Sequence, residues 1–398
     1  MTRDAVTASL VVVAAADCFH RCSSTHSTSN AREKRASPGR VVALLACLLL
    51  TSVLGTPRRL SAMAEDTEVT LSTIPRRVFV DDDGIVEPWP TESFVFFLVV
   101  EDEGDTPVEP LEARIELLSR GEPVQVVELS ARALQGVRGV RFKTKRVDIS
   151  ETFDLRHHFS VPVALNVDRV RYRLTLTRGG EPFAAVLEIA LERYEPKATL
   201  ICPVKGQFMI VAGHDANEPH SSGWSQQHAY DIMLLGPTSG FARNEGRRNE
   251  DYFSWGQPVL APADGVVVFA RNDVPDQPRP GVIDAKLYET LPDPRSALTG
   301  NTVVIDHGHG EYSALSHLQK GSVRVEAGHR MRRGEHIGRL GSSGSSELPH
   351  LHYQLMAGLD LFRSDGLPAR FTNVWIEAFT TQVIRVAKAK RGIPLTAR

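Results

Sequence analysis

The chain has few cysteines, and nearly all of them lie close to its start. Cys18, Cys22 and Cys47 fall early in the 398 residues, and only Cys202 follows. A single cysteine cannot form an internal disulfide, so packed cores must stabilise the rest of the chain. We therefore predict that Cys202 is a small, buried, apolar residue.

The chain also lacks an excess of charge of either sign. It has 46 Lys and Arg residues against 48 Asp and Glu residues, a formal net charge of −2. Binding to phosphate backbones needs a clustered basic excess, so the composition gives no reason to expect nucleic acid as a partner. The 42% apolar content is ordinary for a globular protein. This length predicts two or three domains.

Long hydrophobic runs are scarce as well. The apolar run at 41–55 is short for a membrane span. Basic residues at 31–40 precede it, and Ala62-Met63-Ala64 offers a small-x-small cleavage site after it. This order is typical of a secretory signal. We predict that residues 1–65 are a leader, either a signal sequence or an uncleaved membrane anchor. The protein is then exported to the periplasm or the cell envelope.

Residues 66–195 carry short β-rich segments separated by turn residues. Apolar and polar residues alternate cleanly over 169–176, and Arg178-Gly179-Gly180-Glu181 predicts a hairpin turn into a strand over 183–191. The spacing and alternation favour an antiparallel sandwich of immunoglobulin-like type. We find no catalytic pattern in this segment, so we interpret it as an accessory domain, a spacer or a docking module.

Histidines are concentrated in the second half of the chain. Ten of the fourteen fall within residues 214–352. Residues 350–355 alternate, and on a strand His350, His352 and Gln354 would share one face while the leucines and Tyr353 occupy the other. Clustered histidines with a nearby Asp are typical of a metal site.

Residues 197–390 form the third predicted domain, in which glycine-punctuated turns separate short strands. Strands are predicted over 266–271 and 302–306. Residues 272–299, which contain five prolines and several acidic residues, are predicted to be an insertion loop outside the core.

Five motifs in this region recur in an order that resembles the lysostaphin/LytM family of zinc metallopeptidases, peptidase family M23. They are the Asp of Ala229-Tyr-Asp-Ile232, the segment 256–268, Asp306-His-Gly-His-Gly-Glu-Tyr312 with Ser316-His-Leu318, the glycine-rich segment 328–344, and Pro349-His-Leu-His352. The resemblance covers roughly residues 200–360. It implies an all-β domain of LytM type, like a duplicated hybrid motif, whose small antiparallel sheet holds one zinc ion in a groove.

The resemblance also implies roles for individual residues. Asp231 and His352 correspond to metal ligands, and His317 and His350 to the catalytic histidines that flank the water. The first ligand departs from the family pattern, because the place four residues before Asp231 holds Gln227. The candidates are His220, which we favour, then His228, which would need a kink in the strand, and more distantly His214.

The implied activity is hydrolysis of peptide bonds in the peptide stems or cross-bridges of bacterial peptidoglycan, with Zn²⁺ as cofactor. The first alternative is a non-catalytic LytM-type domain that binds the wall or regulates a wall hydrolase. Retention of the Asp231, His317, His350 and His352 set favours the enzyme, and Gln227 keeps the alternative open. A zinc hydrolase with a substrate outside the wall is the weaker third hypothesis.

Overall fold

The structure is a computed structural model in which nearly all regular structure is β-strand, so the predicted all-β class is confirmed. It describes residues 68–82, 90–136, 142–144, 156–213, 224–284, 286, 289, 291, 293, 295–377, 383–386 and 395–397. The predicted leader, 1–65, and the candidate ligands His214 and His220 lie outside these residues. Within the described ranges no helix is long and apolar enough to cross a membrane.

The first half of the described chain forms a nine-stranded sheet. Its main path runs in the order β1-β3-β2-β9-β8-β4-β5, with β6 and β7 also paired to β3. The elements are β1 (Val69–Ile74), β2 (Val78–Asp82), β3 (Thr91–Asp102), β4 (Val108–Ser119), β5 (Glu122–Ser130), helix α1 (Ala131–Gly136), β6 (Phe142–Thr144), β7 (Arg156–Pro162), β8 (Arg169–Arg178) and β9 (Glu181–Arg193).

Alternation explains how this sheet builds its core. In β8, Val170, Tyr172 and Leu174 are fully buried, while Arg171 on the other face pairs with Glu116 of β4 at 3.1 Å. The buried residues join those of β1 to β4, β7 and β9 in one apolar cluster, so the two ends of the sheet enclose a shared core. The predicted hairpin between β8 and β9 is confirmed. The immunoglobulin-like type of the sandwich stays a prediction.

The second half forms an eleven-stranded antiparallel sheet. Its order is β16-β13-β14-β15-β18-β11-β10-β22-β20-β21, with β19 beside β18, and β12 and β17 form a separate pair. The elements are β10 (Gly206–Ala212), β11 (Tyr230–Leu234), β12 (Pro258–Leu260), β13 (Gly265–Ala270), helix α2 (Arg295–Thr299), β14 (Asn301–Asp306), β15 (Tyr312–Leu318), β16 (Arg330–Met331), β17 (His336–Arg339), β18 (Leu351–Met356), β19 (Gly366–Leu367), β20 (Val374–Glu377), β21 (Val383–Val386) and β22 (Leu395–Ala397).

The core of this second sheet lies on the face occupied by the leucines and Tyr353 of β18. Leu351, Tyr353 and Leu355 are fully buried in the largest apolar cluster, as the alternation predicts. Cys202 belongs to the same cluster and is 1% exposed, which confirms its prediction as a small core residue. Burial raises the pKa of its thiol to about 12.

Strand β2 contributes to both cores. Val78 and Val80 belong to the cluster of the first sheet, while Phe79 between them belongs to the cluster of the second. Successive side chains of a strand face opposite sides, so one strand can serve two cores. The Phe79 ring meets that of Tyr194 edge-on at 5.4 Å. The two sheets lie within one compact unit, residues 64–398.

The segment 272–299 was predicted to lie outside the core, and this is wrong for part of it. Val274 and Gln277 are 0% and 1% exposed, and Ser296 of α2 is also buried. Prolines and acidic residues predicted a loop because they interrupt regular structure. Burial is possible here because Asp276 and Gln277 are hydrogen-bonded to neighbouring loops.

Candidate metal centre and active site

Antiparallel pairing of β11 with β18 places Asp231 directly opposite His352. Directly paired residues share a face of the sheet, so both side chains leave the core side together. The Nδ1 atom of His352 lies 3.1 Å from Oδ1 of Asp231. Their neighbours Tyr230 and Tyr353 are buried in the core on the opposite face. The same alternation that buries the tyrosines therefore assembles the pair.

Gln354 fixes which nitrogen of His352 carries the proton. The Gln354 amide nitrogen lies 3.4 and 3.3 Å from the carbonyl oxygens of Ser225 and Leu361, which only accept, so its Oε1 faces His352. His352 Nε2, 3.1 Å from that oxygen, must donate. Its Nδ1 faces the Asp231 carboxylate, and in the neutral ring with Nε2–H this nitrogen carries the lone pair.

Two electron-pair donors held 3.1 Å apart fit a shared cation. A neutral imidazole nitrogen and a carboxylate oxygen are both zinc ligands, and an acceptor on the far nitrogen of a ligating His is a usual supporting contact. Sequence reasoning placed Gln354 on this face but gave it no role. The two-residue spacing of His352 and Gln354 on one strand was the sequence signal that could have indicated this contact.

His350 lies immediately before β18 and approaches the same carboxylate. Its Nδ1 donates to the carbonyl of Leu348 at 2.7 Å, which leaves Nε2 at 3.5 Å from Oδ1 of Asp231. Burial by itself lowers the pKa of His350, but the charge of Asp231 and its hydrogen bond outweigh burial, and the net pKa is raised.

His317 reaches the site because β15 carries a bulge. Ser316 lies opposite His352, so in a regular strand the next residue would face the core. The pairing of β14 with β15 shifts register between Asn301 and Val303, and His317 adopts a φ of +60°. This conformation is rare outside glycine, and a bulge of this kind re-aims a side chain.

The His317 ring, turned towards the site by the bulge, forms a cluster with the rings of His350 and His352. The ring centroids of His317 and His350 lie 4.6 Å apart, and those of His317 and His352 lie 6.0 Å apart. Nδ1 of His317 donates to the carbonyl of Ser343 at 2.7 Å, which leaves Nε2 as the acceptor. Burial first, then the nearness of the titratable His350 and His352 rings, lowers the pKa of His317 well below its ordinary value.

The first ligand is not among the groups brought to this cluster. His228 is buried, with Nδ1 3.3 Å from Oδ2 of Asp81 and its ring edge-on to Phe79. Gln227 is also buried. In the part of the chain that the structure describes, no group of three or more His, Cys, Asp or Glu side chains is arranged to hold a metal. Within the described residues, Asp231 and His352 therefore offer two donor atoms that fit zinc.

Tyr312, the last residue of the motif that begins at Asp306, packs against the small apolar cluster of Val304, Ala314 and Met356.

Part of the second sheet's sequence matches a known protein family. Residues 251–361 match the model of peptidase family M23. This segment contains His317, His350 and His352, whereas Asp231 precedes it.

Two curated proteins match parts of the chain. It is 31% identical over 139 residues to the peptidoglycan DD-endopeptidase ShyA of Vibrio cholerae, which is 35% of this chain and 26% of that protein. It is 28% identical over 100 residues to the cell division protein DipM of Caulobacter vibrioides, 25% of this chain and 12% of that protein. The chain therefore spans only a minor part of the length of either relative.

Among solved structures, the catalytic domain of the antimicrobial peptidase lysostaphin from Staphylococcus simulans aligns with 16% identity and a TM-score of 0.24. The alignment covers 41% of this chain and 88% of that one.

Proposed function

We propose that the chain is a zinc metalloendopeptidase acting on bacterial peptidoglycan, because residues 251–361 match the model of peptidase family M23. The bonds cut are peptide bonds of the stems or cross-bridges of the wall. The single observation that carries the proposal is the opposed pair of Asp231 and His352, whose facing donor atoms lie 3.1 Å apart with the His352 tautomer set by Gln354.

In this proposal Asp231 and His352 hold zinc, and His220 is the third protein ligand. His228 is less favoured because its ring nitrogen is bonded to Asp81 and its ring packs on Phe79. Zinc, when bound, supplies a Lewis acid that polarises a carbonyl and lowers the pKa of water.

His317 and His350 are the proposed catalytic histidines. Each has its Nδ1–H bonded to a backbone carbonyl, so each ring is fixed in orientation, with Nε2 of His317 left as an acceptor and Nε2 of His350 3.5 Å from Asp231. Two imidazole nitrogens so placed can accept a proton from water and return one to the leaving amine. His317 is 7% exposed and the His350 side chain is 11% exposed, so both rings are largely shielded from bulk solvent.

The name of the ShyA relative supports the substrate class, because it refers to peptidoglycan. A wall substrate also implies export to the periplasm or cell envelope. We propose that residues 66–195 form an accessory domain docked beside the site through β2, since Phe79 and Asp81 of that strand contact the segment that leads into β11.

The test measures zinc content and hydrolysis of purified peptidoglycan with the full chain. We expect about one zinc per chain. His352→Ala should lose the metal, whereas His350→Ala should keep the metal and lose turnover. His329→Ala, an exposed histidine in a turn, is the matched control and should retain both. A wild-type protein that binds no zinc after zinc loading would refute the enzyme proposal.

The second candidate is a non-catalytic domain that binds the wall or regulates a wall hydrolase. The observation that favours it is the place of Gln227, a buried amide four residues before Asp231, where the family resemblance implies a histidine. Retention of the protein on purified peptidoglycan, without cleavage and unchanged in His352→Ala, would support this alternative over the enzyme.

A further inference from the structure

Asp276 and Gln277 hydrogen-bond the insertion 272–299 to the loop 342–346, which leads towards His350. We call these two residues the clip. The Gln277 backbone N–H donates to the carbonyl of Ser342 at 2.9 Å, and its side-chain amide nitrogen donates to the carbonyl of Gly344 at 2.7 Å. These two carbonyls flank Ser343 on either side. The insertion therefore holds the loop at both neighbours of that residue.

Asp276 extends the clip to the strand that carries His317. Its Oδ1 accepts from the Ser342 N–H at 2.8 Å and its Oδ2 from the Lys320 N–H at 2.9 Å. Lys320 follows the end of β15, so a single carboxylate ties this strand end to the loop. Burial raises the pKa of Asp276, while the two N–H donors oppose that shift.

The Gln277 side chain is buried, and both ends of its amide are hydrogen-bonded. The side chain is 1% exposed, and its Oε1 accepts from the N–H of Asp284 at 2.9 Å, so the amide is oriented with its nitrogen towards Gly344. Its own carbonyl accepts from the Asn249 amide at 2.7 Å. A buried amide bonded at both ends has a defined orientation and resists displacement.

The loop that Gln277 holds also packs very closely against the end of the insertion. A Cβ atom added to Gly344 would lie 2.4 Å from the backbone nitrogen of Gly300. Ser343 Oγ accepts from the Asn301 N–H at 2.9 Å and donates to the Leu318 carbonyl at 2.7 Å. Ser343 is thus fixed by its side chain and by both flanking carbonyls.

The carbonyl of Ser343 is the group that sets the tautomer of His317. It accepts from Nδ1 at 2.7 Å and so leaves the lone pair of His317 on Nε2. A shift of this carbonyl would free the ring to rotate or to exchange tautomers.

We propose that Gln277 is a positioning residue for His317, acting through the two carbonyls that flank Ser343. The insertion is then part of the structure that prepares the site for reaction, and not an appended loop. The kinetic consequence rests on the proposed peptidase function, whereas the tautomer of His317 does not.

The experiment compares Gln277→Ala and Gln277→Glu with the wild-type full chain. Gln277→Glu keeps the length of the side chain and the acceptor for Asp284 but places a carboxylate oxygen against the Gly344 carbonyl. Arg279→Ala, an exposed residue of the same insertion, is the matched control. The first readout is NMR of ring-¹⁵N-labelled histidine, which distinguishes Nδ1–H from Nε2–H forms. The second is kcat and KM on peptidoglycan fragments.

We expect His317 to be in the Nδ1–H form in the wild type and in Arg279→Ala, and to lose that form in both Gln277 variants. Their kcat should fall roughly 10- to 100-fold with little change in KM, because a misplaced catalytic group affects the chemical step. If Gln277→Ala fails to fold in a thermal melt, the nearly isosteric Gln277→Glu carries the test.

Two results would overturn the proposal. One is an unchanged His317 tautomer in both variants, whatever their activity. The other is a raised KM with an unaltered kcat, which would assign the clip to substrate binding. If the wild type cleaves no peptidoglycan, the peptidase proposal fails, and the NMR comparison alone still decides the role of Gln277.

Discussion

Replacing Gln354 by Leu should weaken zinc binding without removing any atom that contacts the metal. The wild-type amide accepts from His352 Nε2 at 3.1 Å and is 1% exposed, so water cannot take its place. In Gln354→Leu the buried N–H either stays unsatisfied, which costs about 1–3 kcal/mol, or the proton moves to Nδ1. In the second case Nδ1 donates to Asp231, and zinc must displace that proton.

Either route lowers the affinity for zinc. Loss of a partner that orients a metal-ligating histidine typically costs 10- to 100-fold in affinity, which corresponds to about 1.4–2.7 kcal/mol. Gln354→Glu keeps an acceptor for Nε2 and should bind zinc more tightly than Gln354→Leu. The assay is competition with a chromophoric chelator at fixed pH, with His329→Ala as control. A Gln354→Leu protein with wild-type zinc affinity would refute the tautomer argument.

Three further predictions concern stability and reactivity. Phe79→Ala should destabilise the full chain by about 3–5 kcal/mol in urea melts, since it empties a site shared by the two sheets; a loss under 1 kcal/mol would contradict that packing. Gly344→Ala should lower Tm strongly, because Gly344 has a φ of +76° and the new methyl group would collide with Gly300. An unchanged Tm would contradict this close approach. With a thiol pKa of about 12, only roughly one Cys202 in ten thousand is thiolate at pH 8, so peptide mapping after iodoacetamide should find it unmodified while the protein is folded.

Faces of strands were the most predictable part of the structure. The alternation over 350–355 correctly separated His352 and Gln354 from the core leucines and Tyr353, because burial on one side of a pleated strand requires that pattern. Register was not predictable in the same way. Sequence alone does not show that Asp231 pairs with His352, since hydrogen bonds between distant strands depend on the whole sheet.

The bulge at His317 shows why local reasoning is insufficient at the site. Ser316 and His317 are adjacent, and strict alternation would send only one of them to the groove. The structure brings His317 there through a φ of +60°, a strained conformation that the surrounding contacts must hold in place. Only the family resemblance pointed to this residue. The Ser343 carbonyl, which receives its Nδ1–H, comes from a loop 26 residues away.

The position of His228 links the accessory sheet to the question of the first ligand. Its side chain is committed to Asp81 of β2, and both groups are buried, with side chains 3% and 2% exposed. Turning His228 towards Asp231 would break this buried contact, and removing one partner of a buried pair is unfavourable. The contacts of His228 with Asp81 and Phe79 therefore count against His228 as the proposed first ligand. Through these two residues of β2, the first sheet contacts the chain just before β11 and limits how His228 can turn.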